Sequence, residues 1–192
     1  MKIKSFNLLF IIVVFMALML SSCQDDNYSP RPSGYFRIDM NDHDYQRSKT
    51  DCPFNFEYSK YAILVLKDKD RCWYNIYYPK HKATIYLTFV SLNDDLKTHI
   101  DQTQKLTYEH QIKASKIDRS PIGFSEKNVF GLKYRLSGEV ASSIQFYLTD
   151  STDHYIRGSL YFDAYVNSDS LKPVIDFIDI EIQHLIDSFS WN

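Results

Sequence analysis

The chain has 192 residues, with 22 basic and 24 acidic side chains and a formal net charge of −2. That balance provides neither the basic footprint of a nucleic-acid binder nor a polybasic membrane patch. Five glycines are also too few for a glycine-rich phosphate cradle.

Lys2 and Lys4 precede an almost unbroken apolar run from Phe6 to Leu20. The run is about 15 residues, short of the ~20 that a helix needs to cross hydrocarbon. A charged start, an apolar middle and a small-residue exit form a secretory signal. The exit, Leu20-Ser21-Ser22-Cys23, resembles a bacterial lipobox. There the thiol takes a diacylglycerol and becomes the new N-terminus, which then carries palmitate-type acyl chains. Several such chains hold a protein at a bilayer durably where one does not. Residues 1–22 are accordingly read as a lipoprotein signal peptide and Cys23 as the lipidation site. Residues 23–34 are the tether, and residues 35–192 form a single domain. An ordinary cleaved signal or an uncleaved anchor is the alternative.

With Cys23 lipidated, Cys52 and Cys72 remain as a pair in an oxidising compartment, where disulfides persist. A bond between them closes a loop of about 20 residues and contributes about 3 kcal/mol by loop-entropy arithmetic. Two free buried thiols or half of a metal site are the competing readings. No Cys-x-x-Cys is present and no histidine sits near Cys52, which disfavours metal.

The tether is polar, with Pro30, Pro32 and Gly34, and lifts the domain off the membrane. Asp25 and Asp26 loosely resemble the surface-export signal of some Bacteroidetes lipoproteins, and a solvated linker explains them equally. The 15 tyrosines and 13 phenylalanines fall mostly in alternating segments, which suit a pleated, half-buried surface. Residues 35–40 alternate as a first strand, and Asn41 to Asp44 are turn residues. Asp39, Asp42 and Asp44 do not make a calcium loop, since the required Gly and the closing Glu are missing. Strands are expected over residues 54–59, 61–67, 73–78 and 83–92, with residues 79–82 breaking the pattern. Pairing 54–59 with 73–78 brings Cys52 and Cys72 to one end of the sheet.

Residues 93–117 read as a helix, with Asn93 or Asp94 as its cap and one moderately apolar face through Leu96, Ile100, Leu106 and Ile117. His99 and His110 lie three turns apart, too far for one metal ion. Residues 118–127, with Pro121 and Gly123, read as a loop. Three strands follow at 129–136, 142–149 and 155–165, joined by turns at Gly138-Glu139 and Asp150 to Asp153. A last helix starts at Ser168 or Ser170 with Pro173 in its first turn. Leu171, Val174, Ile175, Ile178, Ile182, Leu185, Ile186 and Phe189 give it a continuous apolar stripe. The expectation is an α+β domain, an antiparallel sheet covered by two helices. Its element order is similar to the Mog1/PsbP-like fold.

No Gly-x-Ser-x-Gly elbow, P-loop, dinucleotide fingerprint or His-Glu-x-x-His occurs. Asp150, Ser151, Asp153 and His154 cluster in one turn. Adjacency at a hairpin tip does not orient a base toward a nucleophile, so they read as turn residues. Arg157, just inside the next strand, is placed to pair with one of these acids.

Two dense blocks carry a resemblance. The first is Pro30-Arg31-Pro32-Ser33-Gly34-Tyr35-Phe36-Arg37-Ile38-Asp39, followed by Cys52-Pro53-Phe54 and Cys72-Trp73. The second runs from Gln145 to Ser151 and continues through His154 and Arg157-Gly158-Ser159-Leu160-Tyr161-Phe162. Together they resemble the gliding-motility lipoprotein GldD family of Bacteroidetes over nearly the whole chain. Ser33 departs from a position that is often basic in the family. The resemblance implies a lipoprotein of the gliding apparatus, linked to type IX secretion, with no assigned catalytic residues and no cofactor. It suggests GldE, a membrane protein of the same system, as a partner.

The expected role is a non-enzymatic envelope component, lipid-anchored, with the outer membrane facing the periplasm as its place and surface exposure as the alternative. Tyr35, Arg37, Asp150, His154 and Arg157 are the candidate interaction surface. A lipid- or glycan-binding module is the second reading. A hydrolase built on Asp150, Asp153 and His154 is the third, and it requires those side chains to converge in a cleft.

Overall fold

Alternating apolar and polar residues build strands, and here seven of them join one sheet. The computed structural model describes residues 39–109, 113–163 and 168–192, the side chains of residues 168 and 169 excepted. The signal peptide, Cys23, the tether, Tyr35, Arg37, His110 and the expected strand over 35–38 lie outside the described residues.

The elements of the sheet are β4 (Ile63–Asp68), β5 (Trp73–Tyr78), β6 (Ala83–Ser91), β7 (Ala114–Phe124), β8 (Val129–Gly138), β9 (Ile144–Thr149) and β10 (His154–Phe162). Their order is β4-β5-β6-β10-β9-β8-β7, and every neighbouring pair is antiparallel. Period-2 alternation sends Ile156 and Leu160 to one face and Tyr155, Arg157 and Ser159 to the other.

Helix α1 (Leu96–Glu109) and helix α2 (Ser168–Ser188) cover opposite faces. The α2 stripe meets Ile76, Ile85, Leu87, Phe146, Leu148, Ile156 and Leu160 in the main core. Leu96 and Ile100 of α1 pack with Tyr134, Leu136, Tyr147 and Tyr155 in a smaller cluster on the other face. The α+β expectation holds, with one helix on each side of the sheet.

A second feature thickens the α2 side. Strands β1 (Tyr45–Arg47) and β3 (Glu57–Ser59) pair with each other, and β2 (Phe54–Asn55) pairs with β11 (Ser190–Trp191). Residues 54–59 therefore do not join β5 as expected. Both of their partners come from near the ends of the domain, and Phe54, Phe56 and Phe189 are fully buried among them. Cys52 and Cys72 are nevertheless bonded, S–S 1.99 Å with the Cα atoms 5.9 Å apart. The bond joins this flank to the start of β5.

Other expectations also give way. Residues 114–124 form β7 and not a helix end followed by a loop. Ala114 and Ile117 still pack on the smaller cluster, but they do so from a strand whose register pairs Ile117 with Leu136. Pro121 is accommodated because β7 is the outermost strand, where a missing N–H breaks no inner ladder. Helix α1 starts later than expected. Asp94 adopts a left-handed φ of 58°, and Asp95 takes the cap, its carbonyl accepting from Thr98 N at 2.9 Å. Asp39 and Met40 are not in a strand. Pro173 lies inside α2 as its sixth residue, beyond the first turn.

Gly158 has a local cause. It faces Phe146 across the β9–β10 pair, and a Cβ there would sit 2.2 Å from the Phe146 ring. A buried phenylalanine thus occupies the space that any larger residue would need.

An ion-pair network sets the rotation of α2 on the sheet. Lys133 Nζ donates to Asp179 (3.1 Å) and Gln183 (2.7 Å), and Arg135 bridges Asp176 and Asp179. Burial pushes the Asp176 carboxyl up, but Lys172 and Arg135 outweigh it and hold the group below its usual range.

Two outcomes test this packing. Ile182→Ala should cost about 3–4 kcal/mol in urea unfolding, because Ile182 is fully buried. Ile180→Ala, at a site 52% exposed, should shift stability by no more than about 0.5 kcal/mol. Peptide mapping without reductant should recover Cys52 linked to Cys72, and reduction should lower stability by about 3 kcal/mol.

Candidate functional site: a hairpin tip and a sheet face

The β9–β10 hairpin needs a tight reversal, and Asp150 organises it. Its Oδ1 accepts backbone N–H groups from Thr152, Asp153 and His154 at 3.0, 2.9 and 2.9 Å. Its Oδ2 lies 2.6 Å from His154 Nδ1. Ser151 takes a left-handed φ of 74°, and Thr149 Oγ1 accepts from Ser151 N while donating to His154 O. Burial pushes the Asp150 carboxyl up, but the three backbone donors and His154 outweigh it and hold the group below its usual range.

The His154 ring stacks on Trp191 (5.2 Å between centroids) and tilts against Phe89 at 5.8 Å. An acid orienting a histidine is half of a hydrolytic constellation. Among the described residues, no hydroxyl or thiol hydrogen-bonds the other ring nitrogen. Asp153 faces a different neighbour, accepting from Thr152 Oγ1 at 3.1 Å. Of the three side chains of the hydrolase reading, Asp150 and His154 pair while Asp153 bonds Thr152, and the Asp150 contacts close the hairpin.

Arg157 does not pair with these acids. It projects from the opposite face of β10, where Nη2 donates to Gln145 Oε1 at 2.8 Å. Thr107 Oγ1 of α1 lies 3.3 Å from the same oxygen. Next along, Thr103 Oγ1 and Tyr155 OH are 2.7 Å apart. Burial pushes the Tyr155 hydroxyl far up, so it remains a neutral donor and acceptor. Of the five residues proposed as an interaction surface, two lie outside the described residues and the other three divide between the two faces.

A third cluster was not legible in advance. Glu181 is buried within the α2 stripe, its Oε1 2.5 Å from His43 Nδ1 and 3.3 Å from Tyr45 OH. His43 stacks on Phe177 at 4.9 Å, and Tyr45 stacks on His184 at 3.5 Å. Burial first, then the Glu181 charge and its hydrogen bond, push the Tyr45 hydroxyl up to about 12. These contacts fasten residues 43–47 to α2. The one available signal was an acid three residues after Ile178 and four before Leu185, inside an otherwise apolar helix face.

Among the described residues, no group of three or more His, Cys, Asp or Glu side chains is arranged to hold a metal ion. No described helix is long and apolar enough to cross a membrane. A cavity of about 250 Å³ lies between the sheet and the start of α2, lined by Ser115, Arg135, Ser137, Ser143, Lys172 and Ile175.

The depressed acidity of Asp150 has a definite sign. A carboxyl held low in the fold contributes stability that is present above its unfolded value and lost as pH falls through the folded one. Asp150→Asn should therefore cost about 1–2 kcal/mol at neutral pH. The gap to wild type should close as the pH is lowered through and below the carboxylate range, as measured by urea unfolding.

A comparison with curated proteins found no match. A comparison with protein families matched the one described as gliding motility lipoprotein GldD over residues 25–191. That span covers every described strand and helix, and the chain belongs to the gliding motility lipoprotein GldD family.

Proposed function

We propose that the protein is a non-enzymatic component of the cell envelope, tethered through a lipidated Cys23, that serves assembly or operation of the gliding and type IX secretion machinery. The observation that carries this reading is the family match across residues 25–191, which assigns the domain as a whole to gliding-motility lipoproteins. The geometry supports it: the Asp150–His154 pair is occupied in closing a hairpin. On this reading residues 1–22 are a cleaved signal peptide, and the domain works through protein contacts, with GldE as its proposed partner. It sits at the outer membrane facing the periplasm. Its element order is read as Mog1/PsbP-like.

The second reading, a lipid- or glycan-binding module, has the cavity between the sheet and α2 in its favour. Its serines, Arg135 and Lys172 offer hydrogen-bonding groups that suit a sugar better than an acyl chain.

Deleting the gene in the source strain and complementing with wild type or Cys23→Ala separates the two. Loss of type IX cargo secretion, or of colony spreading where the strain glides, is expected, with rescue by the lipidated form only. Normal secretion and spreading in the deletion strain would overturn the machinery role and leave the binding module as the better account.

A further inference from the structure

The face of the sheet that carries α1 is only half covered. Helix α1 lies over β8, β9 and the near side of β10, while Ile63, Val65 and Tyr86 on β4 and β6 are 52%, 37% and 41% exposed. In-register pairing lines up Val65, Asn75, Tyr86, Ser159, Gln145 and Tyr134 as one row across six strands. The apolar end of this row is open, and α1 closes its other end.

At the border of the covered half stand three polar atoms without partners among the described residues: Arg157 Nε, Gln145 Nε2 and Ser159 Oγ. Each can donate a hydrogen bond, and a buried donor left unpaired is destabilising. Gln145 Oε1 is already taken by Arg157 and Thr107. Arg157 also lacks a counter-charge. Its guanidinium is partly buried and bonds the neutral Gln145, and no described carboxylate lies within ion-pair distance of it.

We propose that this half-open face is the docking surface for a partner protein that brings a carboxylate to Arg157 and lays apolar side chains on Tyr86, Ile63 and Val65. A partner's Asp or Glu at Arg157, which is only partly buried, would supply the missing charge through a charge-assisted hydrogen bond. The exposed Ile63 and Val65 at the outer edge of this face favour a protein over a saccharide, since a sugar ring gains little from exposed Ile and Val. Arg157 and Tyr86, on neighbouring strands of this face, are of the residue types that carry much of the energy in protein interfaces. The proposal rests on the reading of the protein as a contact-making envelope component and names where that contact is made.

The test is photocrosslinking in the native cell with the full-length lipoprotein carrying benzoylphenylalanine at Tyr86, and at Ile180 on the outer side of α2 as a control. The expected result is an adduct specific to the Tyr86 position that maps to a partner peptide containing Asp or Glu. It should weaken at least tenfold with Arg157→Gln, and also with Ile63→Glu, an exposed change that leaves the core intact. Joining Arg157→Glu with a lysine in place of the mapped acid should restore it. An adduct insensitive to both substitutions would overturn the proposal. So would one mapping to residues 24–34 of the same chain, to a second copy, to a glycan or to a segment without a carboxylate. Absence of an adduct in a strain whose deletion impairs secretion or spreading overturns this surface alone, whereas a deletion without phenotype fails the broader role independently.

Discussion

Everything in the domain leans on the contact between the α2 stripe and the sheet. Ile178, Ile182, Leu185, Ile186 and the following Phe189 are all at or near zero exposure. Each such side chain contributes about 1.5–3 kcal/mol relative to solvent. The stripe gives the central strands a dry face, and Phe54 and Phe56 extend that core beyond the sheet. The Lys133–Asp179 and Arg135–Asp176 pairs add orientation: a helix that is apolar on one side could slide or roll, and charges fixed on β8 permit one rotation.

The same contact explains the one charged residue inside the stripe. Glu181 is tolerable among apolar neighbours because His43 and Tyr45 reach it from the N-terminal flank. Removing a partner from a buried charge costs far more than the pair itself gains. The acid therefore ties residues 43–47 to α2, the helix on which the main core is built. The Cys52–Cys72 bond and the β2–β11 pairing act on the same side, so the segment that follows the tether is held at several points.

The other face works differently. Under α1 a smaller core of Leu96, Ile100, Leu136, Val140 and tyrosine rings sits beside hydroxyl contacts such as Thr103–Tyr155, and only part of the face is shielded from water. The two faces of β9 and β10 show the division residue by residue: Phe146, Leu148 and Ile156 point to α2, while Gln145, Tyr147 and Arg157 point to α1. This face holds the smaller of the two cores, and it carries the partly buried Arg157, which no described carboxylate pairs.

Much of this was legible from local pattern. Alternation located the strands of the main sheet except β7, the long stripe located α2, and the signal segment with Cys23 was read from charge and apolar length, which need no tertiary partner. The pairing of Cys52 with Cys72 was reached by elimination, although the strand pairing offered for it was wrong. What only the tertiary structure decided were the non-local matters. Residues 54–59 pair with segments from both ends of the domain, and residues 114–124 become an edge strand because β8 offers a free ladder. Arg157 turns away from Asp150 because neighbouring positions on a strand alternate by half a turn, whereas His154 remains on the acid's side. Local sequence sets periodicity and chemistry. Which strand lies beside which, and which face a charge meets, is settled by long-range packing that no short window contains.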